Sequence, residues 1–440
     1  MTAHVAVIGG GITGLALALR LTDAGARATV FDAAPEFGGL SATASLPGGV
    51  RWDRFYHVIA GGDHALAALV GELGLGDELH WQRSTQGIFL GGGVHPLVSP
   101  LDLLRLPGLS LLDKWRLGWF ALRGHRPLPD EVLDGTTAAA WARARCGPRA
   151  FERFWGPLLR CKLGDAAATA SARFLHATLR RLHGARGDSG RERFGWVRGG
   201  YRAILDALVA RLRARGVELC PASRVRSVRA TATGVDVHTD AGVRAFDRAA
   251  ATLASPLLAD VVADLPPATA RALRTGTYLG AAVTVVAGRT PLSGHYILNL
   301  CDPRLEITGI IEMTAVVDRR ETGGLTLVYL PRYAVQDSEL FLQPDAAIAE
   351  RALADLACVF PATADGWQIG HTVHRARLIQ PVPIAGVPAA APPRVVVPGR
   401  VFCVNHAQLP GGAVNNNDCV ALATAAAPAI ASPAPAPVTA

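Results

Sequence analysis

Lysine is almost missing from this 440-residue chain: Lys114 and Lys162 are the two, so arginine supplies nearly all of the 44 basic side chains that outweigh 36 acidic ones. Arginine-rich usage in an alanine- and glycine-rich chain reflects base composition as readily as an anionic partner, so the net charge of +8 argues only weakly for acidic ligands. Aromatic residues are scarce at 6%, and no basic-aromatic surface pattern or recognised binding module appears, which excludes nucleic acid as the partner. The seven cysteines are odd in number and lack C-x-x-C spacing, which excludes a disulfide framework and a zinc site and points to a reducing compartment. No apolar run reaches the roughly 18 uncharged residues that a spanning helix needs. With no basic and apolar leader ahead of the first strand, the expected location is cytoplasmic, at most on a membrane face. Half of the residues are hydrophobic and only 18% charged, which excludes disorder, and the length suggests two domains.

What the chain does have is glycine. In "AHVAVIGGGITGLALALRLTDAGARATVFDA", Val5 to Ile8 reads as a buried strand, Leu15 to Leu21 as a helix and Ala28 to Phe31 as a second strand. Between the first strand and the helix stand Gly9, Gly11 and Gly14 with G-x-G-x-x-G spacing. Their tasks differ: a tight turn at Gly9, close approach to a pyrophosphate at Gly11, and close helix-to-strand packing at Gly14. The helix N-terminus presents free N–H groups and partial positive charge to phosphate. Asp32 closes the second strand, where a carboxylate accepts hydrogen bonds from a ribose hydroxyl. The unit is that of a dinucleotide binder.

A second glycine pair follows in "PEFGGLSAT", where Gly38, Gly39 and Leu40 leave the second strand. This loop resembles that of the FAD-dependent amine oxidase and protoporphyrinogen oxidase superfamily, whose extra glycines let the backbone pass close to the flavin end of FAD. Many amine oxidases carry arginine after the pair, so Leu40 argues against a typical monoamine oxidase. "RWDRFYHVI", "FWGPLLRCKLGD", "VRGGYRAILDAL" and "HYILNLCDPRLEITGIIEMTAVV" extend the resemblance to a protoporphyrinogen-oxidase-like branch. "RVFCVNHAQLPGGAVNNNDCVALA" is similar to the family's terminal flavin motif, with Asn405 and its neighbours where an acidic residue is usual. The resemblance implies flavin contacts at Gly412, Ala413, Val414 and Asn415, and an adenine contact at the backbone of Val225, which otherwise reads as an ordinary strand residue.

The fold implied is α/β: a Rossmann-type (GR2-like) FAD-binding domain with a discontinuous α+β substrate domain. Residues 1–62, 195–265 and 385–430 fall to the first and 63–194 and 266–384 to the second, with 431–440 a flexible Ala/Pro tail. Amphipathic stretches at 64–74, 100–122, 136–146 and 166–183 predict helices, and runs such as "GAAVTVVAG" and "LTLVYL" predict strands.

In a flavoenzyme the cofactor carries the electrons and the protein supplies orientation, electrostatics and exclusion of side reactions, so no metal is expected. Three residues are candidates for the substrate side. His57 moves a proton or donates a hydrogen bond as charge develops, or is a satisfied core histidine; its neighbour Tyr56 reads as packing. Lys162, among apolar neighbours, acts as a base if burial lowers its pKa, or lies on a solvated face. Glu312, a lone carboxylate on a buried-looking strand, is either paired structurally or placed in the pocket, with the pocket favoured. The arginine-rich run 179–202 clamps an anionic substrate or is a solvated loop. Residues 99–124, with leucines and aromatics at helical spacing among basic residues, form core helices or an interfacial segment in peripheral membrane contact.

Two uses of the flavin follow. One is an oxidoreductase taking a hydride from a small organic substrate to flavin N5: an amine, a porphyrinogen-like compound, an isoprenoid or a secondary-metabolite intermediate. The other is a redox-neutral enzyme acting on a nucleotide- or lipid-linked sugar, similar to the UDP-galactopyranose mutases.

Overall fold

The computed structural model describes residues 2–83, 85–184, 193–263, 265–387, 391–409 and 414–432. A six-stranded sheet gathers segments far apart in the chain, in the order Glu218–Cys220, Arg27–Phe31, His4–Ile8, Arg248–Ala251, Val401–Cys403, Val395–Val397. All neighbours are parallel except the last pair. Parallel strands are covered on both faces, and here the covering is visible in the burial: Val5, Ala6 and Val7 have no exposed surface. Helices Ile12–Asp23, Tyr201–Ala214 and Asn416–Ala431 share the core on one face. A three-stranded antiparallel sheet, Val225–Ala230, Val235–Thr239 and Gly242–Phe246, leads back into the central strand Arg248–Ala251.

A second, seven-stranded sheet is built on Thr277–Gly288, which pairs antiparallel with Thr326–Val335 on one side and Gln368–Val382 on the other. Its far edge takes in Gln86–Leu90 and Gly93–Pro96 from early in the chain. The helical layer beside it runs from residue 100 to 184. The single amphipathic stretch expected over 100–122 is two helices, Pro100–Arg105 and Leu111–Arg123. Pro107 and Gly108 break the pattern, and Ser99 and Ser110 each start a helix with a reciprocal cap to Asp102 and Asp113. Likewise 166–183 resolves into a short turn at 164–168 and the helix Ala172–Gly184. Residues 185–192, in the middle of the arginine-rich run, and 433–440 of the tail lie outside the described residues.

Candidate active site

The glycine turn has the geometry its spacing demands. A Cβ on Gly14 would meet the Gly9 carbonyl oxygen at 1.8 Å, so the first helix sits against the strand end as only glycine permits. Gly9 has φ +106° and a Cβ there would strike Thr252 Oγ1 at 2.6 Å. Gly11, by contrast, has ordinary space around it, yet lies beside Gly38 in a short parallel bridge. The N-terminus of helix Ile12–Asp23 has no side-chain cap, so its orphan N–H groups are free to meet phosphate. Asp32 accepts hydrogen bonds from Gly10 N at 2.6 Å and Ala34 N at 2.7 Å. A carboxylate has about four lone-pair sites, so two such bonds leave capacity for ribose hydroxyls. The segment before Val225 is tied to the same place, Ser223 N donating to Asp32 O and Ala222 N to Ala34 O.

From the glycine pair a series of side-chain contacts leads to the seven-stranded sheet. Ser41 donates to Asn416 Oδ1 at 3.2 Å, and Asn416 stands beside the buried Tyr201 hydroxyl. The Tyr201 ring contacts the His57 ring at 5.0 Å between centroids. His57 Nδ1 is held by Phe55 O at 2.8 Å, and burial pushes its pKa down to about 4, so the ring is neutral at physiological pH. Its chain neighbour Tyr56 places its hydroxyl 2.6 Å from that of Tyr333. Lys162 then lies with Nζ 3.8 Å from the centre of the Tyr333 ring.

Local sequence explains how Lys162 gets there. Helix Gly156–Leu163 ends at Gly164, whose φ of +55° stops the helix against Tyr333 O. Thr308 Oγ1 donates to Cys161 O at 2.9 Å and fixes the last turn. Among the described residues no carboxylate lies within ion-pairing distance of Lys162. Burial lowers its pKa, with Tyr56 opposing. Burial raises the Tyr56 and Tyr333 hydroxyls above the ordinary phenol value, so both stay protonated.

Other expectations are corrected. Glu312 is built into a turn: its oxygens accept from Leu292 N, Ser293 N and Gly294 N at 2.9 to 3.1 Å, and from the Ser293 hydroxyl at 3.2 Å. These donors satisfy a carboxylate that is 2% exposed, which makes its role structural rather than catalytic. Asn415 caps the terminal helix through Asp418 N, so it is Asn416, one residue on, that reaches Ser41. Val414 is half-buried just before that cap, and Gly412 and Ala413 lie outside the described residues. In the arginine-rich run, Arg198 pairs with Glu78, and Arg202, on helix Tyr201–Ala214, pairs with Asp206, both at the surface. Among the described residues no cluster of three or more metal-ligating side chains occurs.

Comparison with known proteins agrees with this geometry. The family model for flavin containing amine oxidoreductases matches residues 12–415. The chain belongs to that family. A coproporphyrinogen III oxidase of Mycobacterium tuberculosis is 29% identical over 306 residues, which are 64% of this chain and 65% of the relative; the match thus spans under two thirds of that protein's length. An Exiguobacterium structure provisionally called a protoporphyrinogen oxidase shares the fold with a TM-score of 0.75 at 18% identity, over 98% of this chain and 99% of that one. A reduced UDP-galactopyranose mutase shares it as well, with a TM-score of 0.75 at 15% identity, over 97% and 95%.

Membership of this flavin-containing family makes the cofactor a flavin, and the dinucleotide unit takes it as FAD. The residues fit it: the uncapped helix and the close Gly11 backbone suit the pyrophosphate, and the Asn416 amide nitrogen is buried without a well-formed hydrogen bond near the glycine pair. Arg54, unnoticed in the sequence, donates to Gly39 O at 2.7 Å and keeps a buried Nε without a partner. It thus brings a guanidinium to the glycine pair in a chain that has Leu40 where many amine oxidases have arginine. Tyr201, Tyr333 and Asn416 were also missed, since their only signal is tertiary.

Proposed function

We propose that the protein is an FAD-dependent oxidoreductase that oxidises a small organic substrate held between the flavin and the cluster Tyr56, His57, Lys162 and Tyr333. Gly9, Gly11, Gly14, Asp32 and Val225 hold the ADP half of FAD, and Gly38, Gly39, Leu40, Val414, Asn416 and the adjoining 412–415 segment hold the flavin half. The single observation that carries this reading is the contact of Lys162 Nζ with the Tyr333 ring, whose hydroxyl is already bonded to Tyr56.

FAD, when bound, would supply a two-electron acceptor. Lys162, its pKa lowered by burial, takes at Nζ the proton that the substrate's N–H or O–H releases as its hydride leaves. The Tyr56 and Tyr333 hydroxyls, kept protonated, orient the reacting nitrogen or oxygen by hydrogen bonds. Neutral His57 supplies a fixed, uncharged edge beside Tyr201. The working compartment is the cytoplasm, supported by seven cysteines that are all free thiols.

A second reading has its own support in the shared fold of the reduced UDP-galactopyranose mutase. The experiment that separates the two mixes the oxidised holoenzyme anaerobically with amines and porphyrinogens, and the photoreduced holoenzyme with UDP-galactopyranose. Bleaching of the flavin by a reduced donor supports oxidation. Sugar-ring interconversion by the reduced enzyme, with no net bleaching by any donor, supports the redox-neutral use.

A further inference from the structure

Half of the exposed large apolar side chains sit in one short stretch. Of sixteen such residues among the described ones, eight lie between Val98 and Leu122: Val98, Leu101, Leu104, Leu111, Leu112, Trp115, Trp119 and Leu122. Helix Leu111–Arg123 buries Leu117 and Phe120 against the helical core, while Leu111, Trp115, Trp119 and Leu122 recur every three or four residues on its outward side. The two tryptophan rings stack at 5.9 Å, with the Arg123 guanidinium 4.3 Å from the Trp119 ring. Helix Pro100–Arg105 packs beside it and adds Leu101 and Leu104.

Within residues 98–126 the charges not used in helix caps have one sign. Arg105, Lys114, Arg116, Arg123 and Arg126 are basic, whereas the two acids of the stretch, Asp102 and Asp113, are consumed by the caps of Ser99 and Ser110. Lys114, one of only two lysines in the chain, donates to Leu104 O and links the two helices.

We propose that this face docks the protein peripherally on an anionic phospholipid bilayer. A leucine and tryptophan surface with a basic border matches the headgroup boundary, where the rings stay partly wet and the guanidinium groups meet lipid phosphates. No described helix is long and apolar enough to cross the membrane, so the contact lies in the plane of one leaflet. A second copy of the chain is a poorer occupant, because two-fold pairing of this face sets its basic border against itself. The inward side of the same helix packs in one core with Leu159 and Leu163 of the helix that holds Lys162, so the docked surface lies one helical layer from the proposed chamber.

The test is flotation of the flavin-loaded full chain with vesicles of phosphatidylglycerol and phosphatidylcholine, and with phosphatidylcholine alone. The expected result is binding to the anionic vesicles that weakens as salt is raised. Trp115→Ser with Trp119→Ser should lower partitioning about tenfold or more for each side chain removed, with the visible flavin spectrum and far-ultraviolet circular dichroism unchanged. Leu101→Ser with Leu104→Ser is a second pair for use if the tryptophan pair misfolds. Lys114→Glu with Arg123→Glu should abolish the preference for anionic lipid. Three results would overturn the proposal: wild-type protein that floats with neither vesicle, folded tryptophan and leucine variants that float as well as wild type, or a wild-type dimer that the tryptophan pair converts to monomer.

Discussion

The hydroxyls of Tyr56 and Tyr333 stand 2.6 Å apart, although 277 residues separate them in the chain. Tyr56 follows the short strand Arg51–Asp53, and Tyr333 lies on a long strand of the seven-stranded sheet. Their contact ties that segment to the seven-stranded sheet, and Lys162 covers the Tyr333 ring there.

That arrangement makes the pH dependence of the reductive half-reaction a test of Lys162. Its pKa is lowered by burial, and as a base it works only when deprotonated, so the rate rises with pH through that lowered value. Lys162→Met should slow anaerobic flavin reduction by roughly 100-fold and flatten the rising limb while FAD stays bound. Rapid-mixing reduction across pH checks both.

Gly11 and Gly14 should respond differently to the same change. At Gly14 a Cβ meets backbone at 1.8 Å, so Gly14→Ala should fail to give folded protein. At Gly11, with φ −72° and the nearest atom at 3.8 Å, alanine is tolerated by the fold. Gly11→Ala should therefore remain folded but bind FAD about tenfold or more weakly, as its methyl group holds the pyrophosphate off the backbone. Thermal unfolding and flavin titration separate the two outcomes.

How far the sequence could be read follows from these cases. The glycine turn is local: its strand, helix and acid lie within 33 residues, and each glycine carries its own steric reason. Tyr333 and Asn416 gave no such signal, since their partners Tyr56, Ser41 and Tyr201 lie far away in the chain. Periodicity found the helices of 100–122 but did not say which stripe faces in, because Leu117 and Trp115 fit the same pattern. Glu312 was misjudged because an isolated carboxylate on a buried strand looks the same whether its donors are a ligand or the N–H groups of a turn 20 residues earlier.

Glu312→Gln provides the matching control. Replacing a carboxylate that accepts four hydrogen bonds removes charge assistance from a buried turn and should cost about 1–3 kcal/mol. Flavin reduction should be unchanged in the folded variant. A normal unfolding midpoint with slowed reduction would return Glu312 to the active site.

His57 should make the protein sensitive to mild acid. Its pKa falls from 6.5 to about 4 on folding, so the unfolded chain binds more protons over that window. Stability from this group is fully present above about 6.5 and is lost as pH falls towards 4. His57→Gln should remove on the order of 2 kcal/mol of that loss, read as a smaller drop in urea midpoint between pH 7 and pH 4.5.

The central claim is that electrons leave the substrate through the flavin and pass to an acceptor. The most direct test needs no substrate: photoreduce the purified holoenzyme without oxygen, admit air, and follow the visible spectrum and peroxide together. The account predicts that the flavin returns to its oxidised form, with one equivalent of peroxide per flavin where oxygen takes the electrons and on addition of an artificial acceptor where it does not. A reduced enzyme that persists in air and interconverts a nucleotide-linked sugar without consuming electrons would contradict it.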